Sequence, residues 1–155
     1  MNPAEERPVK DGTVSRASLA PELDAGLAKL MERAHDAASH SYSPYSKFRV
    51  GAALRLTNSE IVTGTNVECA SYGLTICAER VALVRAISEY GPEIRIGAVA
   101  VANLNGKASP PCGACRQMLS EFALPDASIV FPEADGVCVL PFHELLPLVF
   151  EMKTK

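Results

Sequence analysis

A chain of 155 residues is the size of one ordinary domain and long enough to bury a real core. Hydrophobic residues at 48% and charged ones at 21% give it a globular composition, and no run of about 18 apolar residues is present to span a membrane. The net charge of -3 argues against nucleic-acid binding as the main business, and five cysteines, an odd number, fit a reducing compartment better than a disulfide framework.

Residues 1–20 are polar, mixed in charge and unpatterned, which predicts a flexible tail ahead of a single domain over 21–155. The tail lacks the apolar segment of a signal peptide, so a cytoplasmic location is expected. From Pro21, Leu23, Leu27, Leu30, Met31, Ala34 and Ala38 recur at helical spacing and predict a surface helix. His35 and His40 near its end read as solvated or capping groups. Residues 42–46 (Tyr, Ser, Pro, Tyr, Ser) form a loop by composition. Val50, Ala52, Leu54 and Leu56 then alternate with Arg49, Gly51, Ala53 and Arg55, predicting a strand with one apolar face. After a turn at 57–60, a second strand through Ile61 and Val62 towards Asn66 completes a hairpin.

A second helix is expected over 76–90, with Ala82, Leu83, Ala86, Ile87 and Tyr90 inward and Gly91-Pro92 ending it. Residues 94–102 are small and branched apolar without interruption, as in a strand covered on both faces. Asn103-Leu104-Asn105-Gly106 breaks it. A third helix has Cys115, Met118, Leu119 and Phe122 as its inner face, Ile129-Val130-Phe131 and 137–140 are strands turned by Asp135-Gly136, and 142–148 is a short last helix. Cys138 reads as buried core and His143 as structural. Helices alternating with apolar strands imply an α/β layered domain on a mixed five-stranded sheet.

Two stretches carry chemistry. Thr75-Ile76-Cys77-Ala78-Glu79-Arg80 joins a thiol, a carboxylate and a cation, and Pro111-Cys112-Gly113-Ala114-Cys115-Arg116-Gln117 supplies two more thiols one helical turn apart. Three thiols suit a catalytic zinc, which takes three protein ligands and keeps a fourth position open, whereas a structural zinc is closed by four. If Thr75 caps the helix, Cys77 lies in its first turn. Residues two apart on a regular helix diverge, so Cys77 and Glu79 converge on one metal only if the helix start is distorted or Cys77 is itself the cap. Glu79 would carry a proton for a zinc-activated water. Three thiolates leave a divalent ion with net negative charge, which Arg80, rather than Arg116, is expected to offset by donating to the sulfurs. A purely structural clamp is the plainer alternative. For Phe48, Asn66 and Glu68 the plain readings are core packing and solvated loop.

Phe48-Arg49-Val50-Gly51-Ala52-Ala53-Leu54, Asn66-Val67-Glu68, Cys77-Ala78-Glu79-Arg80, Pro111-Cys112-Gly113-Ala114-Cys115-Arg116-Gln117 and Leu145-Leu146-Pro147 together resemble the small homotetrameric cytidine deaminases over about 23–150. The resemblance implies a three-layer α/β/α fold, one zinc per subunit on Cys77, Cys112 and Cys115, and Glu79 as the catalytic acid-base. It implies hydrolytic deamination of cytidine and 2′-deoxycytidine to the uridines and ammonia, in pyrimidine salvage. Phe48 would lie against the pyrimidine, Asn66 and Glu68 would hold the ribose hydroxyls, Ala78 would contact substrate, and Phe150 would help close a site in a homotetramer. The chain departs from the pattern at Cys69, where the family commonly has Asn. Alternatives are a deaminase of another aminopyrimidine, whether nucleotide, antibiotic nucleoside or nucleic-acid base, and a non-catalytic zinc scaffold.

Overall fold

Asp24 starts the first helix by accepting from the backbone N–H groups of Gly26 at 2.8 Å and Leu27 at 3.0 Å, which satisfies two donors that a helix start leaves without partners. The computed structural model describes residues 23–152, so the tail over 1–20 and Pro21 lie outside the described residues. Helix α1 spans Ala25–Ala38 and is followed by strands β1 (Val50–Leu56) and β2 (Ile61–Thr65). A single 3-10 turn at Tyr72–Leu74 precedes α2 (Ala78–Tyr90). Then come β3 (Ile96–Asn103), α3 (Gly113–Ser120), β4 (Ala123–Glu133), β5 (Gly136–Pro141) and α4 (Phe142–Leu145). Apart from the 3-10 turn, this is the element order expected from periodicity.

The five strands form one sheet in the order β2-β1-β3-β4-β5. Only β3 and β4 run parallel; the other pairs are antiparallel, so the sheet is mixed. The parallel pair is joined through α3, as a parallel connection requires a crossover. On one face α2, α3 and α4 cover Ala52, Leu54, Leu56, Val62, Val99, Val101 and Ile129; on the other α1 covers Ala53, Ala98, Ala100, Ala102 and Val130. Four of the five sheet residues under α1 are alanines. A Cβ on Gly51 would stand 2.0 Å from the Ala34 carbonyl oxygen, so glycine and alanine here let the helix backbone settle directly on the sheet. β1 is thus covered on both faces, where alternation alone implied one.

Several local expectations change. Helix α2 begins at Ala78, with Cys77 rather than Thr75 as its cap, because the Thr75 hydroxyl is engaged by the backbone N–H of Cys69 at 3.1 Å. Tyr90 is exposed and donates its hydroxyl to Glu60 at 3.3 Å; as the last residue of α2 it has run past the sheet. Met118 is exposed because α3 packs through the narrow stripe of Cys115 and Leu119, and Phe122 packs from beyond the helix end. Cys138 is only half-buried, since β5 is an edge strand. The last helix stops at Leu145.

Candidate active site

Cys77 and Cys112 are the N-caps of α2 and α3, and neither accepts a capping hydrogen bond on its side chain. Each sulfur therefore stands at the open, electropositive start of a helix. Cys115 follows in the first turn of α3 and is buried, Cys77 is half-buried and Cys112 exposed. The three sulfurs lie within 4.8 Å of one another, and among the described residues they form the one group of metal-ligand side chains so gathered. Cys77 and Cys112 are 3.8 Å apart and Cys112 and Cys115 3.4 Å. Zinc–sulfur bonds of about 2.3 Å in tetrahedral geometry put sulfurs about 3.8 Å apart. The cage fits that ion with three ligands and one open position.

The cap position resolves the geometric objection to Cys77 and Glu79 sharing a site. Cys77 has an extended backbone, with φ -70 and ψ 153, so the two residues do not diverge as they would inside a regular helix. Glu79 is 4% exposed. Burial, joined by the negative charge of Cys77, pushes its carboxyl above the usual range, which is what a proton carrier working near neutrality needs. Arg80 Nη2 lies 3.8 Å from Cys77 Sγ and donates to the Thr75 carbonyl at 3.1 Å, while its Nε is the one buried side-chain N or O atom without a partner among the described residues. Without metal, Cys77 is drawn down to about 5, first by its hydrogen bond with Cys115 and then, against the cost of burial, by Arg80; Cys115 is driven upward and keeps its proton. Arg116 does not touch the sulfurs. It donates to the carbonyls of Pro111 at 2.8 Å and Leu145 at 3.0 Å, tying the start of α3 to the end of α4.

A backbone bridge between Val67 and Ile76, two bonds of 3.0 Å, brings the Asn66-Val67-Glu68 stretch beside Cys77. Asn66 is buried, and its side chain is nearly consumed: Oδ1 accepts from Val50 N at 2.9 Å and Ser41 Oγ at 2.5 Å, while Nδ2 donates to the Phe48 carbonyl at 2.9 Å. One amide hydrogen remains for a ligand. Glu68 accepts from Tyr45 N at 2.9 Å, Ser46 N at 3.2 Å and the Ser46 hydroxyl, which together hold its carboxyl below the usual range, the Ser46 hydroxyl most. One acceptor site is left on it. Glu68 borders a cavity of about 420 Å³ lined also by Tyr45, Ser46, Cys69, Tyr72 and Thr75. Cys69 is not part of the sulfur cluster. Ala78 is fully buried at the first turn of α2, and Phe150 is 69% exposed, its carbonyl accepting from Gln117 Nε2 at 2.9 Å.

The cytidine and deoxycytidylate deaminase zinc-binding region matches residues 26–131, which include all three sulfurs and Glu79. The chain belongs to that family. It is 41% identical over 122 residues to a cytidine deaminase of Halalkalibacterium halodurans, a span covering 78% of this chain and 91% of that protein. With a probable cytidine deaminase of Dictyostelium discoideum it shares 40% identity over 135 residues, covering 82% and 85%. The crystal structure of cytidine deaminase from Mycobacterium leprae superposes with a TM-score of 0.70 at 36% identity, covering 82% of this chain and all of that one. The three-layer deaminase fold is therefore shared along with the zinc site. What sequence reading passed over are the residues that hold Asn66, Glu68 and the backbone beside Phe48 in place: Ser41, Ser46 and Asn105, whose partners lie 25, 22 and 56 positions away and leave no local signal.

Proposed function

We propose that the chain catalyses hydrolytic deamination of cytidine and 2′-deoxycytidine, giving uridine or deoxyuridine and ammonia. The observation that carries the reading is a three-thiol cage with a buried glutamate two residues from one ligand. Bound between Cys77, Cys112 and Cys115, zinc supplies the Lewis acidity that makes a water nucleophilic near neutral pH. Glu79 takes the first proton of the attacking water and passes it to N3 of the base as oxygen bonds to C4. The second proton, from the new C4 hydroxyl, travels by Glu79 to the amino group, which leaves as ammonia when the C–N bond breaks. Arg80 offsets the excess charge of the thiolates.

Asn66 has a donor to spare and Glu68 an acceptor, so the pair matches sugar hydroxyls, which can accept from one and donate to the other. Phe48 packs on the base. The buried backbone at Ala78 lines the site, and Phe150 closes the site of a neighbouring copy in a homotetramer. Exposed Tyr72, Leu74 and Phe150 support association, since large apolar groups in water mark contact surfaces. No helix among the described residues is long and apolar enough to cross a membrane, and free thiols at the site suit the cytoplasm, where a nucleoside would be salvaged.

The test is ammonia release from cytidine by the purified protein beside Glu79→Ala, with zinc quantified in both. Loss of activity with zinc retained supports the reading. A folded, zinc-loaded wild type that releases no ammonia sinks it.

A further inference from the structure

The loop between β3 and the second metal half-site reaches across the molecule to the stretch around Phe48. Asn105 Nδ2 donates to the Lys47 carbonyl at 3.1 Å, and its Oδ1 accepts from Arg49 N at 2.9 Å. One amide thus brackets Phe48 in the chain, bonding to the residue before it and the residue after it. Phe48 itself is fixed at both backbone groups, its N–H donating to Ser46 Oγ at 3.0 Å and its carbonyl accepting from Asn66. Lys47 adopts a left-handed conformation with φ 60, which costs energy in a residue other than glycine and persists only where its surroundings hold it. Lys47 N to the Ser43 carbonyl at 3.0 Å and Asn105 to the Lys47 carbonyl supply that hold.

Asn105 is in turn rigidly mounted. Its backbone N–H donates to Asn103 Oδ1 at 2.9 Å, and the buried Asn103 donates to Lys107 O at 2.6 Å and Ser109 Oγ at 3.0 Å. Leu104 N donates to the Arg49 carbonyl at 3.0 Å, so the loop grips the start of β1 from both its backbone and this side chain. The same loop continues through Ser109 into Pro111 and Cys112.

We propose that Asn105 is a positioning residue for Phe48, presenting the aromatic ring to the base from the loop that leads into Cys112. This rests on Phe48 packing against the base, as proposed above. Asn105 is exposed, so truncating it removes no core packing; the thermal midpoint records what loosening Lys47 costs, and kinetics taken well below that midpoint read the effect at Phe48.

The experiment is a cycle of Asn105→Ala, Phe48→Ala and the double variant, with kcat and KM for cytidine and thermal midpoints measured for each. Ring packing serves ground state and transition state alike, so Asn105→Ala raises KM about fivefold with kcat within twofold of wild type. Asn105→Asp, which keeps the acceptor for Arg49 N and loses the donor to Lys47, falls between. In the Phe48→Ala background Asn105→Ala adds nothing, because the residue acts through the missing ring. A fivefold rise that persists in that background overturns the proposal, as does an unchanged KM. A lower kcat at constant KM marks a merely structural role and also overturns it. If Phe48→Ala itself leaves KM untouched, the reading of Phe48 fails first and takes the proposal with it.

Discussion

Gly64 on β2 lies directly beneath the first turn of α2, and replacing it by alanine tests whether that turn sets the catalytic geometry. A Cβ there would stand 2.3 Å from Ala82 N and 2.6 Å from the Ala78 carbonyl oxygen, about 1.1 Å inside the 3.4 Å at which ordinary contact begins. Both are backbone atoms, so relief requires the helix start to retreat by about that distance. Ala78 lies between Cys77 and Glu79, and the retreat moves the ligand and the proton carrier together. A misplacement of about 1 Å costs roughly a hundredfold in rate. Gly64→Ala should therefore lower kcat on the order of a hundredfold in protein that still folds and holds zinc. Gly51→Ala is the matched control. Its Cβ meets the Ala34 carbonyl oxygen at 2.0 Å and Ala38 N at 2.4 Å, an even closer clash, but against α1, which carries no site residue. It should cost stability, roughly 1–3 kcal/mol as overpacking does, and leave turnover per folded molecule within about threefold. Ammonia release normalised to zinc content, beside thermal melts, separates the two. Equal loss of kcat in both variants, or a Gly64→Ala enzyme at wild-type rate, would refute the reasoning.

Removing the charge at Arg80 with Arg80→Gln should weaken zinc retention by about 10- to 100-fold, measured by competition with a chelator. In the metal-free protein the Cys77 thiolate should be alkylated by iodoacetamide with an apparent midpoint near 5, moving up in Arg80→Gln and protected by added zinc. Because that folded value lies below the ordinary 9.0, the thiolate's contribution to apo-protein stability is complete above pH 9 and lost as pH falls through about 5; chemical denaturation across that window checks the sign. The Glu68 carboxyl is likewise held below its ordinary 4.5, chiefly by the Ser46 hydroxyl, so Ser46→Ala should let KM for cytidine begin to rise at a higher pH as the solution is acidified.

The element order and both metal half-sites were legible because each is written locally. Period-two and period-3.6 patterning sort strands from helices, and a Cys-x-Glu stretch or a Cys-x-x-Cys turn fits within a few residues. What escaped depends on partners distant in sequence. Tyr90 and Met118 match the apolar pattern of their helices, yet the sheet ends before one and the short α3 turns the other outward. β4 begins at Ala123, though its pattern marks only Ile129-Val130-Phe131 as strand. The strand carries an irregularity in which pairing jumps from Ile96 with Ala123 to Ala98 with Ser128, and His143 Nδ1 meets the Pro125 carbonyl at 2.9 Å in that stretch. For Cys77 the sequence left two options, distortion or a cap, and the hydrogen bond that occupies Thr75 decides between them. The clamp around Phe48 had no local signature at all.

The three sulfurs come from chain positions 35 residues apart, at the beginnings of two helices lying on the same face of the sheet. A metal ion shared between them is, in topological terms, a cross-link that closes a long loop containing α2 and β3. Closing a loop of that length restricts the unfolded chain far more than the folded one, as a covalent staple would. Chelation would then withdraw reactivity and mechanical integrity in one event. Occupancy of the site and the folding equilibrium would then be linked, so that added zinc should raise the thermal midpoint as well as the activity.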